Sequence, residues 1–221
     1  MSLLEKLDVY DDTDPHPAAL NMAIDETLFQ TVETPTLRFY HWLRPSISFG
    51  YFGAYAEVSS HESDHDIVRR WTGGGVVFHH GDVTYSLLLP SSHPYSRRSS
   101  RQVYSDVHEA IARALRVSGL AATLATEDAR KVSDACFANP VRMDVMVDRT
   151  KVAGAAQRRS RGGLMQQGSV QLEQMPNNFR TDFARALSDR FVSKIMDAGL
   201  IAQAEELRSQ KYGSAGWLKR R

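Results

Sequence analysis

Strand-like segments in this chain come in blocks, and helix-like segments separate one block from the next. Residues 18–32 place apolar side chains at four-residue intervals, which is the spacing of an amphipathic helix. Helical spacing returns over residues 101–120 and 179–196, and a shorter helix is predicted over residues 201–209. Strands in blocks, rather than in strict alternation with helices, favour an α+β fold. The sequence therefore predicts a mainly antiparallel or mixed β-sheet flanked by helices.

Eight segments combine β-branched or aromatic residues with turn signals at their ends, as strands do. The first two are predicted to form a hairpin. Asp148 and Arg149 are predicted to form the turn between two later strands. The predicted strands are 36–42, 45–50, 67–71, 74–79, 84–89, 141–147, 151–157 and 164–172.

The charge balance limits the partners that this chain can have. Its 221 residues include 27 Lys and Arg against 26 Asp and Glu, a formal net charge of +1. That balance excludes a polybasic nucleic-acid coat and an acidic disordered tail. A single cysteine, Cys136, excludes a disulfide within the chain and favours a reducing compartment. Residues 1–12 carry acids where a signal peptide has its apolar core, and no apolar run is long enough to span a membrane, so we expect a soluble cytoplasmic protein.

Three successive glycines follow a pair of arginines in the segment 69–79, and we call residues 70–75 the glycine loop. Because glycine lacks a Cβ, the backbone here can approach a ligand closely, and its N–H groups can converge on an anion. Arg70 would add a planar guanidinium suited to a carboxylate or phosphate. The spacing matches neither a P-loop nor a dinucleotide-binding motif. The residues alone leave two readings equally open, a ligand loop and a bulged turn with two exposed arginines.

A second candidate segment begins at Lys151, which opens the run of small residues VAGAA. Small side chains leave room for a ligand along the backbone, and Lys151 would end in that groove as a point cation. Cys136 precedes this lysine by fifteen positions. The alternatives are a surface lysine on a closely packed strand and a small buried cysteine. His79 is interpreted as a hydrogen-bonded strand histidine, and His61 and His65 as surface residues, because no third metal ligand is apparent.

Together, several segments resemble the lipoate-protein ligase A and octanoyltransferase family, whose catalytic fold is shared with biotin-protein ligases. The resemblance extends over nearly the whole chain. It implies one catalytic domain over residues 1–221, with no C-terminal accessory domain. The segments that carry it are NMAIDE (21–26), LRFY to SFG (37–50), RRWTGGGVVFH (69–79), KVAGAAQR (151–158), QGS (167–169) and KY to W (211–217).

The resemblance also implies which residues form the site. In this family the arginine and the glycines hold the acyl group and its activated carboxyl end. The lysine that matches Lys151 contacts the reacting carbonyl or acyl phosphate, so Cys136 and Lys151 are the expected catalytic residues. The expected substrate-binding residues are Arg70, Thr72, Gly73, Gly74, Gly75, His79, Tyr85, Ser86, Gly154, Ala155, Gln167, Gly168 and Ser169.

Two chemistries occur in this family. Transferases move an octanoyl group from an acyl-carrier thioester through a cysteine, whereas ligases use ATP and Mg²⁺ to form lipoyl-AMP. The context of Cys136 and the segment HHGDVTYS (79–86) resemble the cysteine-dependent octanoyltransferase branch. We therefore expect transfer of an octanoyl or lipoyl group through a Cys136 thioester, with no cofactor. The alternatives are ATP-dependent lipoate ligation and a non-catalytic protein that binds lipoate or an acyl carrier.

The partners follow from the same resemblance. The acceptor would be a lysine of a lipoyl-domain protein, such as the E2 subunit of a 2-oxoacid dehydrogenase or the H protein of glycine cleavage. The acyl donor would be an acyl carrier protein. Neither nucleic acid nor a membrane is expected as a partner, and no metal site is predicted apart from the Mg²⁺ that a ligase would need.

Overall fold

Two β-sheets and the helices packed against them make up the described part of the chain. The computed structural model describes residues 2–128 and 140–220. No helix within those two ranges has the length and apolar character that a bilayer crossing requires. In the same ranges, the larger sheet has eight strands and the smaller sheet has three.

The larger sheet is mixed, as predicted. In spatial order its strands are β11 (Phe191–Lys194), β1 (Leu7–His16), β2 (Thr36–Trp42), β6 (Val83–Pro90), β10 (Gly163–Val170), β9 (Thr150–Ser160), β8 (Val145–Val147) and β7 (Thr123–Leu124). β1 is parallel to both of its neighbours. The remaining neighbours pair antiparallel.

The smaller sheet shows that the hairpin predicted for 36–42 and 45–50 is wrong. Its middle strand is parallel to one neighbour and antiparallel to the other. Ile47 and Phe49 of that middle strand pack in a separate apolar cluster with Val58, so this stretch of chain leaves the larger sheet instead of pairing with β2. The strands are β4 (Asp66–Arg69), β3 (Ser46–Phe49) and β5 (Val77–His79).

Helices cover both faces of the larger sheet. On β2, Phe39 belongs to the core cluster that includes α2 and α3, whereas Tyr40 belongs to the cluster that includes α1 and α4. Adjacent strand residues point to opposite faces, so the two clusters lie on opposite sides of the sheet. The helices are α1 (Ala18–Thr31), α2 (Ser100–Val117), α3 (Phe179–Leu187), α4 (Ala198–Leu207) and α5 (Ala215–Leu218), with a π-helical turn at Arg208–Tyr212.

Local sequence signals predicted the positions of several elements to within a few residues. α1 and α2 lie within a few residues of their predicted bounds. Gly119 follows α2 with a φ of +85°, a left-handed conformation that favours glycine at a helix end. Asp148 and Arg149 have φ values of +47° and +67° and form the predicted turn between β8 and β9.

The helix predicted over residues 179–196 is wrong beyond Leu187. Ser188 is extended, and Phe191–Lys194 forms β11 beside β1. The apolar spacing continued past the helix because Phe191 also packs on the core, from a strand. β1 was not predicted, because its several aspartates are atypical of strands.

Candidate active site

Residues of both sheets line one cavity of about 650 Å³. This volume is typical of a small-molecule site. The larger sheet contributes residues of β2, β6, β9 and β10. The smaller sheet contributes residues of β3 and β5, and the glycine loop after β4 and the segment 52–57 after β3 line the cavity as well.

One row of residues crosses the larger sheet and forms a wall of this cavity. Tyr40, Thr84, Ser169 and Gly154 are successive partners on β2, β6, β10 and β9. All four line the cavity, since directly paired residues of neighbouring strands point to the same face. Strands lie about 4.8 Å apart, so the row is roughly 14 Å long. The wall therefore extends from an aromatic end at β2 to β9, where Lys151 lies.

Lys151 folds back over its own strand. Its Nζ lies 2.8 Å from Asp144 Oδ2, and only 6% of its side chain is exposed. A Cβ placed on Gly154 would lie 2.8 Å from Lys151 Cε and 3.0 Å from Nζ. The glycine thus leaves the space that the lysine occupies, and Lys151 is one of the residues that line the cavity.

Helix α2 holds the partner of this lysine. The Tyr104 hydroxyl donates to Asp144 Oδ1 at 2.5 Å, and burial, followed by the charge of Asp144, raises the pKa of Tyr104. One turn later, burial lowers the pKa of His108 to about 4, so its ring is neutral at neutral pH. Its Nδ1 donates to the Met143 carbonyl at 2.6 Å. α2 therefore fixes both residues of the turn 143–144.

The glycine loop is held by Arg70. Its guanidinium donates to Ser48 Oγ at 2.7 Å and to the carbonyls of Gly73 and Gly75 at 3.1 and 2.8 Å. Gly74 has a φ of +85°, and a Cβ there would lie 3.2 Å from the Ala156 Cβ. The loop therefore brings bare main chain close to β9.

Neither arginine of this segment is exposed, so the alternative of a turn with two exposed arginines is wrong. Arg70 is 6% exposed and Arg69 is 1% exposed. The Arg69 guanidinium donates to the carbonyls of Trp217, Leu218 and Arg220. Arg69 therefore fastens the C-terminal segment, whereas Arg70 shapes the cavity.

At the end of the cavity away from Lys151, polar side chains hydrogen-bond to one another beside an aromatic ring. His79 Nδ1 lies 2.9 Å from Asp82 Oδ2, and Nε2 lies 2.7 Å from Ser48 Oγ. Burial raises the pKa of Asp82, but His79 and the hydrogen bonds outweigh burial and hold that pKa below its usual value. Trp42 stacks on His79 at 4.1 Å and donates to Thr84 Oγ1 at 2.8 Å. Because these polar groups pair with one another, this end offers mainly ring surface to a ligand.

A family model matches most of the chain, from residue 17 to residue 206, and describes the lipoyl protein ligase A/B catalytic domain. The chain belongs to this family. The resemblance inferred from the sequence motifs is thereby confirmed. The matched residues include α1, the glycine loop and Lys151.

Curated relatives of this family are named octanoyltransferase LipM. The protein from Oceanobacillus iheyensis is 37% identical over 169 residues, which are 72% of this chain and 61% of the relative. The protein from Kyrpidia tusciae is 36% identical over 174 residues, which are 72% of this chain and 64% of the relative. The match thus spans about three fifths of the length of these two relatives.

Solved structures of the family have the same fold. A T. acidophilum protein assigned as a lipoate protein ligase, with bound lipoic acid, has a TM-score of 0.76 at 20% identity and covers 97% of this chain and 98% of its own. Lipoate-protein ligase A bound with ATP has a TM-score of 0.75 at 20% identity, with coverage of 97% and 98%. A bi-partite lipoate protein ligase from the same archaeon, reported with its E2 lipoyl domain, has a TM-score of 0.77 at 19% identity, with coverage of 97% and 96%. The expected fold class is thereby confirmed.

Most of the residues expected to bind substrate in this family line the cavity together with Lys151. The structure brings together Arg70, Gly74, Gly75, His79, Gly154, Ala155, Gln167, Gly168 and Ser169.

Four expected residues are absent from the described lining. Thr72 donates to Gln167 Oε1 at 2.7 Å, and Ser86 donates to Asp25, which also accepts from Gln167 at 2.7 Å. These two residues support Gln167 and do not form the wall. Tyr85 lies on the opposite face of the sheet, behind Gly168. Gly73 contributes a carbonyl to Arg70.

Several wall residues had no local signal in the sequence. Some lie on β2 or α2 and others lie between the helices and strands, and the contacts between distant segments that bring them to the cavity are not readable from a single segment. The additional lining residues with side chains large enough to shape it include Tyr40, Trp42, Phe52, Tyr104 and Val141.

Cys136 lies outside the described residues, so its expected role stays a prediction. Over residues 2–128 and 140–220, no three His, Cys, Asp or Glu residues are grouped as metal ligands would be. His61 and His65 contact each other and the ring of Phe78 edge to face.

Proposed function

We propose that the protein transfers an octanoyl group from a carrier-bound thioester to the acceptor lysine of a lipoyl domain, through a thioester on Cys136. The observation that carries this proposal is that the Lys151 ammonium and the Gly74 main chain line one cavity. The curated relatives named octanoyltransferase LipM support the same activity.

The dimensions of the cavity fit an acyl chain. An extended eight-carbon chain with C–C bonds of about 1.52 Å is roughly 9 Å long. The row from Tyr40 to Gly154 is roughly 14 Å long, so it accommodates this chain and the carbonyl group. The carbonyl would lie at Lys151, where the fixed charge is, and the tail would lie against Trp42.

The position of Val141 supports a role for Cys136. Val141 lines the cavity, and Cys136 precedes it by five residues. Five residues span at most about 18 Å, which is the greatest distance from Val141 that the chain allows Cys136. A free cysteine has a pKa of about 8.5, and a nearby ammonium favours the thiolate that attack requires.

In the first step the Cys136 thiolate would attack the thioester carbonyl, forming a new C–S bond and breaking the C–S bond to the carrier, whose thiolate leaves and takes up the proton that Cys136 had lost. In the second step the neutral amine of the acceptor lysine would attack the acyl-enzyme, forming the amide C–N bond and breaking the acyl C–S bond, and a proton lost by the amine would return to the Cys136 sulfur. Each step passes through an oxyanion. Lys151 and the main-chain N–H groups of the glycine loop would stabilise it, at about 3 kcal/mol per donor. Thioester to amide is downhill, so the transfer consumes no ATP.

A second candidate is ATP-dependent lipoate ligation. The likeness of the fold to lipoate-protein ligase A bound with ATP favours it. ATP would activate the lipoate carboxyl as lipoyl-AMP with Mg²⁺, and Lys151 would contact the acyl phosphate.

The proposed partners are lipoyl-domain proteins as acceptors, among them E2 subunits and the glycine cleavage H protein, and an acyl carrier protein as donor. A fold neighbour is reported with its E2 lipoyl domain, which supports the acceptor class. The two sheets share the cavity, which supports one catalytic domain over residues 1–221. The single cysteine supports a reducing, cytoplasmic setting.

The test uses the full chain with a lipoyl domain, once with octanoyl carrier protein and once with lipoate, ATP and Mg²⁺. Intact mass of both proteins follows the acyl group. We expect an octanoyl adduct on the enzyme and then on the lipoyl domain, with both lost in Cys136→Ala and Lys151→Ala. Turnover by Cys136→Ala only with lipoate and ATP would establish the ligase, and binding without turnover in either arm would establish a non-catalytic protein.

A further inference from the structure

Asp144 lies at the centre of a buried group of donors. The residue is completely buried. Its Oδ2 accepts from Lys151 Nζ at 2.8 Å and from the Val141 N–H at 2.7 Å, and its Oδ1 accepts from the Tyr104 hydroxyl at 2.5 Å. A buried carboxylate is costly unless it is paired and hydrogen-bonded, and this one has three partners.

The turn that carries Asp144 is itself held in an unusual conformation. Met143 has a φ of +73°, in the left-handed region that non-glycine residues rarely adopt. The His108 ring donates to its carbonyl, and the Met143 N–H donates to the Ala125 carbonyl at 2.8 Å. Strain of this kind persists where the surroundings fix the backbone. The direction of the Asp144 side chain is therefore set from α2.

The lysine depends on this arrangement for its shape. The side chain of an unrestrained lysine is a flexible four-carbon stem, and its rotamer entropy is worth about 2 kcal/mol. Here the ion pair with Asp144 draws Nζ back over Gly154. A reacting group held in place before the substrate arrives lowers the barrier of the reaction.

We propose that Asp144 and Tyr104 are positioning residues, Asp144 fixing the Lys151 ammonium at the cavity wall and Tyr104 fixing Asp144. This inference rests on the proposed function, in which Lys151 stabilises the oxyanion. The competing explanation is that Asp144 only neutralises a buried lysine and so contributes to folding alone.

Kinetics of three variants separate these explanations. Asp144→Asn keeps the shape of the side chain but removes its charge, so kcat should fall about 10²-fold with little change in KM. Tyr104→Phe removes one hydroxyl and should lower kcat roughly tenfold. The double variant should lose less than the product of the two single losses, because Tyr104 positions Asp144, although its hydroxyl also accepts from the Ala155 N–H. A double variant whose loss equals the product of the two single losses would overturn the proposal.

Tyr95→Phe is the matched control. The Tyr95 hydroxyl donates to Asp106 Oδ2 at 2.7 Å, which is also a tyrosine–aspartate pair; Asp106 lies on α2, Tyr95 lies in the 3-10 turn before it, and neither residue lines the cavity. Its melting temperature should fall while kcat is unchanged. If Asp144→Asn does not fold, Tyr104→Phe decides: a kcat per folded molecule equal to that of the wild type would overturn the proposal.

The outcome for the wild type distinguishes the two proposals. Wild-type transfer with full kcat in Asp144→Asn and Tyr104→Phe would refute the positioning role and leave the proposed function standing. No turnover by the wild type in either donor arm would refute both. If the wild type turns over only with lipoate and ATP, the variants Asp144→Asn and Tyr104→Phe are compared with the wild type by their rates of lipoyl-AMP formation, since Lys151 has a role in either chemistry. Rates equal to that of the wild type would then overturn the positioning role.

Discussion

Replacing Gly154 with alanine is expected to slow acyl transfer without weakening the fold. The new Cβ would lie 2.8 Å from Lys151 Cε, and ordinary contact begins at 3.4 Å. The lysine must therefore shift by about 0.6 Å, the difference between these distances, and a shift of this size should lower kcat roughly tenfold.

Stability should change in the other direction. The φ of Gly154 lies outside the left-handed region, so alanine fits the backbone. Alanine in a strand interior is favoured over glycine by about 0.5–1 kcal/mol, and the atoms that must move are at the end of a flexible side chain. The free energy of unfolding should thus be unchanged or rise by up to about 1 kcal/mol.

The assay measures kcat by intact mass of the lipoyl domain and stability by urea unfolding. Gly216→Ala is the control, because a Cβ at Gly216 in α5 would meet open space and the φ there is also outside the left-handed region. It should keep the wild-type kcat. Full kcat in Gly154→Ala would refute the claim that Lys151 is confined at this place, and a loss of stability would refute the claim that only the lysine moves.

Three further substitutions test other parts of the structure. Gly168→Ala would place a Cβ 2.5 Å from the buried Tyr85 ring and should cost about 1–3 kcal/mol in urea unfolding; unchanged stability would refute that packing. The pKa of His108 is about 4 in the folded protein and about 6.5 in the unfolded chain. As the pH falls, the unfolded chain binds a proton at His108 before the folded protein does. The free energy of unfolding should therefore fall by up to roughly 3 kcal/mol between about pH 6.5 and 4. His108→Gln should flatten the dependence of unfolding free energy on pH in that window, and an equal slope would contradict this. Arg69→Ala removes the guanidinium that donates to the carbonyls of Trp217, Leu218 and Arg220, and it should cost about 3 kcal/mol. Limited proteolysis should then cut the segment 217–220 first, and a protease pattern like that of the wild type would contradict this prediction.

The parts of the fold and site that were predicted from the sequence depend on local signals. The spacing of apolar residues gave α1, and the absence of a Cβ at three successive positions indicated close approach of the glycine loop. The close approach was found, with Gly74 against Ala156. The small residues after Lys151 were expected to leave a groove, and three of them, Gly154, Ala155 and Ala156, line the cavity, whereas Val152 and Ala153 belong to the core.

The parts that were not predicted depend on pairing between distant segments. Tyr40 and Ser169 share a wall only because β2, β6 and β10 have one particular register. β11 joins the sheet through a parallel pairing with β1, and no periodicity of its own segment indicates that. The sequence does not indicate that Asp144 pairs with Tyr104, because that contact depends on the packing of α2 beside the turn.

The contact between Gly50 and the glycine loop has a consequence for the choice of acyl group. A Cβ on Gly50 would lie 1.9 Å from the Gly74 carbonyl oxygen, so the two backbones are in direct contact there. Main chain therefore forms this contact, while side chains such as Phe52 and Val77 line the same side of the cavity elsewhere. Any residue with a Cβ at Gly50 would displace the glycine loop, so engineering for a different acyl chain has to leave this contact intact and change the side chains that line the cavity.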